Sequence, residues 1–244
     1  MQTIDNLTGV FLGRTLIQQK GEIGGSRYVF VKLQGQKNDL VFPTSGGKVM
    51  NPFKGAAKIY AGDLFEYRTN DEGLKPEIYI LKTYKVKSMS GTTIKIYRDG
   101  YKHIPFVGDV LMKAPDTIGA KGGQASVFTA VVKAQDSKVD VWEVTVDTEI
   151  SGLVDGDVLV EAKDKTQTAT GTMLVQNINA VAPYDYDFLY YPAATDKNDD
   201  FEKARYYLTP ALGGTMYVNN MSPMPKCVLD LNKCNINGWF KVEF

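Results

Sequence analysis

The sequence predicts an all-β (mainly β) fold: two to three small β-sandwich or β-barrel units in tandem, with one short helix near the C-terminus. Three observations lead there. Runs of β-branched and aromatic residues fill the first three quarters of the chain. Turn phrases separate those runs at intervals of roughly ten residues, the spacing of a sandwich or small barrel. One short phrase, Gly-Asp followed by apolar residues, occurs three times.

The elements follow in order. Residues 1–53 hold "KGEIGGS", "PTSGGK" and "MNPFKG" around the strand-like "RYVFVKL", and so predict a loop-rich N-terminal arm with one hairpin. Residues 54–115, with "EIYILKTYKV" and "TTIKIY", predict a first small β domain. Residues 116–165 predict a second β unit from "SVFTAVV" and "VDVWEVTV". In the latter run Val139, Val141, Val144 and Val146 compete for one face, which implies a bulge or a strand covered on both sides. The turns between are "NDEG", "SMSG", "RDG", "GAKGG" and "AQDSK". Residues 166–244 form a tyrosine-rich C-terminal region, where Asn198 can cap a helix over "DDFEKARYYL". Asp199 and Asp200 favour its positive end, Phe201, Ala204, Arg205 and Leu208 fall at helical spacing, and Pro210 stops it.

The repeated phrase stands at Gly62-Asp63 ("AGDLFEY"), Gly108-Asp109 ("VGDVLMK") and Gly156-Asp157 ("DGDVLVE"), with the aspartates 46 and then 48 residues apart. Glycine supplies an unusual backbone angle and aspartate bonds to amides within the turn, so these six residues read as structural turns that launch strands. The near-constant period fits repeated β units, and it equally fits a common turn pair used three times.

Composition narrows the function classes. Formal net charge is +0 with 23% charged residues, so nothing supplies the basic excess that nucleic-acid backbones require, and no nucleic-acid partner is expected. Met1 is followed by "QTIDNLTGVFLG", which lacks the basic start and roughly 7 to 15 apolar residues of a secretory signal. No window approaches the ~20 apolar residues of a membrane span, so the expectation is no membrane partner and synthesis in a cytoplasm. Two cysteines, Cys227 and Cys234, give no disulfide framework; a local bridge between them competes with two thiols, which a reducing compartment favours.

No catalytic signature stands in the chain. His103 is its single histidine, and no Gly-x-Ser-x-Gly elbow offers it a serine, so it reads as a loop histidine beside the Ile104-Pro105 turn. Zinc would need Cys227, Cys234, His103 and a carboxylate to converge without any Cys-x-x-Cys pair. Asp196, Asn198 and Asp200 resemble the start of a calcium loop, but Phe201 and Tyr207 stand where glycine and glutamate are required. "TSGGK" lacks the spacing of a P-loop. The expectation is no catalytic residue, no metal and no cofactor. A glycosidase needs merely two facing carboxylates, and sequence cannot choose a pair among 28 acidic residues. In "YDYDFLYYP", Tyr184, Tyr186, Phe188 and Tyr190 share one side of an extended segment; with Tyr191 they are candidate interface residues, or a platform for sugar rings in a carbohydrate-binding module of a tail or fibre.

Two blocks, "KTYKVKSMSGTTIKIYRDGYKHIPFVGDVLMKAP" (Lys82 to Pro115) and "FTAVVKAQDSKVDVWEVTVDTEISGLVDGDVLVEA" (Phe128 to Ala162), resemble the central region of capsid-associated proteins of tailed phages. These are auxiliary capsid, head-fibre and decoration proteins, especially of phages that infect Bacteroidetes, crAss-like phages included. The likeness rests on the order of several phrases and spans about Ala61 to Ala162. It implies a non-enzymatic β-rich virion protein on the capsid surface. Its implied partners are the major capsid protein, other virion proteins and further copies of itself. The Gly/Pro-rich "GGSRY", "PTSGGKVMNP" and "MSPMPK" are the segments suited to folding against such neighbours.

Overall fold

The computed structural model describes residues 14–20, 26–33, 43, 46–53, 57–69, 76–98, 103–117, 120, 124–163, 172–183, 185–188, 207–212, 214–217, 222–229 and 240–243. These form seventeen strands and one helical turn. The strands, in chain order, are β1 (Arg14–Lys20), β2 (Ser26–Leu33), β3 (Gly47–Val49), β4 (Ala57–Ile59), β5 (Leu64–Arg68), β6 (Glu77–Ile80), β7 (Thr83–Ser90), β8 (Thr93–Tyr97) and β9 (Val110–Lys113). Then come β10 (Ser126–Asp136), β11 (Val139–Val146), β12 (Val158–Glu161), β13 (Ala180–Val181), β14 (Tyr186–Phe188), β15 (Tyr207–Leu208), β16 (Gly214–Tyr217), the turn α1 (Lys226–Leu229) and β17 (Phe240–Glu243). The chain is mostly β.

Six strands close into a barrel in the order β10-β11-β8-β7-β12-β9. Its interior is filled by the alternate residues that the strand period turns inward, among them Tyr84, Ile94, Ile96, Leu111, Phe128 and Leu159. Strands from residues 54–115 and from 116–165 share this one barrel, so these stretches interleave where the sequence suggests units side by side. The reason lies in pairing. β9 bonds to β10 and β12, and β12 bonds to β7 and β9, so each stretch completes its sheet on strands of the other.

The two halves correspond strand for strand. Hairpin β7–β8 matches hairpin β10–β11, and β9 matches β12. Val86 pairs with Ile96 just before a one-residue bulge, as Phe128 pairs with Val146 just before another. In the register of β9 with β12, Met112 lies opposite Val160, its own counterpart. The crowding in Val139–Val146 is resolved by cover on both sides: Val141 and Val144, on opposite faces, are both buried. The bulge sits in the neighbouring β10.

A second sheet has the order β13-β5-β6-β3-β15, with β3 and β6 parallel. Its alternation sends Leu64, Leu81 and Val181 to one side and Phe65, Ile80 and Ala182 to the other. The first side packs on Met112 and Val160, which point out of the barrel. β14 pairs with β4 in a two-stranded ribbon, and β1-β2-β16-β17 form a four-stranded sheet with β1–β2 an antiparallel hairpin. The helix expected after Asn198 lies outside the described residues up to position 206. Its final residues, Tyr207–Leu208, are strand β15, bonded to Lys48 and Gly47: burial of Leu208 in the sheet core decides against helical propensity there. The helical turn α1 comes later, after Pro225. Among the described residues no helix is long and apolar enough to cross a membrane.

Candidate functional site

The three Gly-Asp phrases fold into one geometry. Gly62, Gly108 and Gly156 have φ of 86°, 86° and 92°, the left-handed value required at the third position of a type II turn. Each following aspartate donates its N–H to the carbonyl three residues back (Asp63 to Tyr60, Asp109 to Phe106, Asp157 to Val154) at 2.9 to 3.1 Å. Each carboxylate accepts the N–H of that same residue, at 2.7, 3.0 and 2.8 Å. The turn then grips a strand remote in sequence. Gly108 donates to Phe128 and Asp109 accepts from it; Gly156 and Asp157 hold Val86 likewise, and Gly62 and Asp63 hold Ala182. In the barrel, each half therefore clasps the first strand of the other half.

What distinguishes the three is the second partner of the carboxylate. Asp157 is near the surface and meets the Lys113 ammonium at 2.7 Å. Asp109 is buried and takes the Tyr84 hydroxyl at 3.4 Å; burial first, and the Asp109 charge second, push the Tyr84 phenol well above the usual tyrosine value. Asp63 is buried beneath His103 and Ser222, which come from remote parts of the chain. His103 Nε2 lies 3.0 Å from Asp63 Oδ2, and the Ser222 hydroxyl donates to Asp63 Oδ1 at 2.5 Å.

These are the residue types of a nucleophilic triad in the wrong order. The Thr83 N–H donates to His103 Nδ1 at 3.0 Å, so that nitrogen is an acceptor and the ring proton sits on Nε2, aimed at Asp63. Ser222 Oγ is 3.5 Å from that same Nε2 and gives its own proton to the carboxylate. A triad needs serine on one ring nitrogen and aspartate on the other. Here both meet Nε2, and no imidazole lone pair is left to take the serine proton. The cavity beside them, lined by Asp63, Thr83, Ser222 and Met224, measures about 10 Å³, the room of a single water. The cluster is a clamp that fixes the β8–β9 loop and the Ser222 segment to the Asp63 turn.

Two further polar groups tie elements together. Lys82 is 2% exposed; its ammonium reaches Glu161 on β12 and the Pro52 carbonyl at 3.2 to 3.3 Å. Asn51 completes that knot by bonding both backbone groups of Ile80 and donating to Glu161 Oε2. On β5, burial works against the charge of Glu66, yet the Arg68 guanidinium and the N–H groups of Gln176 and Asn177 outweigh it and hold the carboxyl below the ordinary glutamate value.

The remaining sequence candidates fall as follows. The Tyr186 hydroxyl donates to the Thr209 carbonyl at 2.8 Å and its ring packs on the core that holds Phe65 and Leu208, so this tyrosine is engaged within the chain. Phe188 stands opposite Ala57 in the β14–β4 ribbon. Tyr184, Tyr190, Tyr191, the Asp196–Asp200 segment and Cys234 lie outside the described residues, while Cys227 is buried in the core between barrel and sheet. Sequence reading missed the convergence of Asp63, His103 and Ser222 and that of Lys82, Glu161 and Asn51; a lone histidine and a lysine inside an apolar strand run were the available signals. Comparison with protein-family models, curated proteins and solved structures returns no match, so the geometry of the clasps and the clamp carries the functional reading.

Proposed function

We propose that this chain is a non-enzymatic structural protein of a phage virion, bound to the capsid as an auxiliary, decoration or head-fibre-associated component that stabilises the head. The observation that carries the reading is the wiring of the Asp63–His103–Ser222 cluster, where reactive side-chain types are consumed in holding three segments together. The two sequence blocks that resemble phage capsid-associated proteins, Lys82 to Pro115 and Phe128 to Ala162, also coincide with the two halves of the barrel. The likeness therefore falls on one architectural unit. In such a role a barrel locked by reciprocal clasps supplies rigidity, and its exposed hairpins and loops supply contacts.

Cryo-electron microscopy of purified phage particles, paired with mass spectrometry of their proteins, tests this directly. The expected result is the barrel as ordered density on the capsid lattice; intact particles without the protein overturn the proposal. The enzymatic alternative has its own readout: a fluorophosphonate probe is expected to leave Ser222 unlabelled, whereas stoichiometric labelling would require a serine activated in a way this clamp does not permit.

A further inference from the structure

We propose that the outer edge of β10, residues 129–136, is a self-association site that pairs antiparallel with the same edge of a second copy, with Val132 facing Val132. The two halves of the barrel differ here more than anywhere else. Beyond the matched positions Val86 and Phe128, β7 runs four residues to Ser90, while β10 runs eight to Asp136. The second hairpin therefore reaches four residue pairs further, about 13 Å at ~3.3 Å per residue. β10 pairs with β9 at Ser126 and Val127 alone, so from Thr129 onward its outer edge has no strand partner among the described residues.

A long unpaired edge is a template for another strand, and natural edges are blunted by short length, proline, bulges or charged side chains. This stretch has a bulge at its start and carries Lys133 and Asp136, with five uncharged residues from Thr129 to Ala134. It carries no proline, and Ala130, Val132 and Ala134 share one face, with Val132 53% exposed. Two identical strands related by a two-fold axis through the sheet place residues of the same face opposite each other. Charge excludes one register, and the exposed apolar side chain of Val132 selects another. Centring the pair on Lys133 would set two ammonium groups together. Centring it on Val132 sets Ala130 opposite Ala134 and Lys133 opposite Val131, and no like charges face each other. This stretch is held on the barrel wall, because β11 beside it is bonded to β8 through Val141–Thr145. Eight residues a side fall well short of the about 20–30 of a standard stable interface. The contact is accordingly weak in dilute solution and gains strength when copies are held side by side. It stands whether or not the chain rides on a capsid.

A cysteine at the two-fold position tests both the contact and its register, because directly opposed residues lie within disulfide reach. In the full chain, Val132→Cys is expected to form a covalent dimer under mild oxidant several-fold faster than Lys133→Cys or Val154→Cys, the last at an exposed position in the Asp157 turn. Sedimentation velocity of the cysteine-unaltered protein should show a dimer that grows with concentration and vanishes in Val132→Lys at unchanged melting temperature. Equal cross-linking at all three positions, or a monomer at every concentration with no preferential Val132→Cys dimer, overturns the proposal. Dimerisation that survives Val132→Lys also overturns it by placing the contact elsewhere.

Discussion

At the scale of single residues, the three turns separate what a glycine does from what its neighbours do. Gly156 has φ of 92°, and a Cβ built there meets nothing within 4 Å. Gly156→Ala should therefore cost about 1–2 kcal/mol, the intrinsic penalty of the left-handed region, with no steric addition. Urea denaturation checks it; a loss below a few tenths of a kcal/mol would mean that the turn does not need glycine. The Gly-Asp pairs were legible in the sequence because their geometry is local, closed within four residues by one backbone and one carboxylate hydrogen bond. The second partners of Asp63, Asp109 and Asp157 were not legible. His103 and Ser222 lie 40 and 159 residues from Asp63, and nothing in local sequence specifies which carboxylate they meet.

At the scale of elements, most barrel strands followed from β-branched and aromatic runs, whereas strand ends and partners did not: the run Glu77 to Val86 holds β6 and the start of β7, which belong to different sheets. "AQDSK" reads as a turn, and it closes the β10–β11 hairpin through Ser137 and Lys138 at φ of 50° and 72°, a two-residue turn with both central residues in the left-handed region. Neither side chain favours that region. Lys138→Gly is expected to stabilise the protein by up to about 1 kcal/mol, the left-handed penalty relieved less the added freedom of glycine in the unfolded chain. A rise in Tm by calorimetry is the expected result, and a fall would show that Lys138 contributes more than backbone shape. The segment 207–208 shows the opposite case. Its spacing suits a helix, but a strand edge at Lys48 and a core position for Leu208 take it into the sheet.

At the scale of the whole molecule, an apolar layer, a buried ionic knot and the Asp63–His103 clamp join the barrel to the five-stranded sheet. Met112 and Val160 enter the layer from the barrel side, and Lys82, Glu161 and Asn51 form the knot. Glu161→Ala leaves the Lys82 ammonium buried without its carboxylate and should cost about 3 kcal/mol, at the lower end for such pairs because Glu161 is partly exposed. The Lys82→Met, Glu161→Leu double variant should recover most of that loss. Chemical denaturation followed by tryptophan fluorescence checks both, and a Glu161→Ala variant as stable as the parent would show that the knot does not couple the two parts.

By itself the sequence determined the β character of the chain, the place of several strands and the turn chemistry that launches β5, β9 and β12. All of these are set by side-chain periodicity and by backbone preferences that act over a few residues. Tertiary structure decided that the two Gly-Asp stretches form one interleaved barrel, that β10 outgrows its counterpart, and that Asp63 is a clamp. Each of those outcomes depends on hydrogen bonds and burial between segments far apart in the chain, where a local pattern fits several partners and packing selects one.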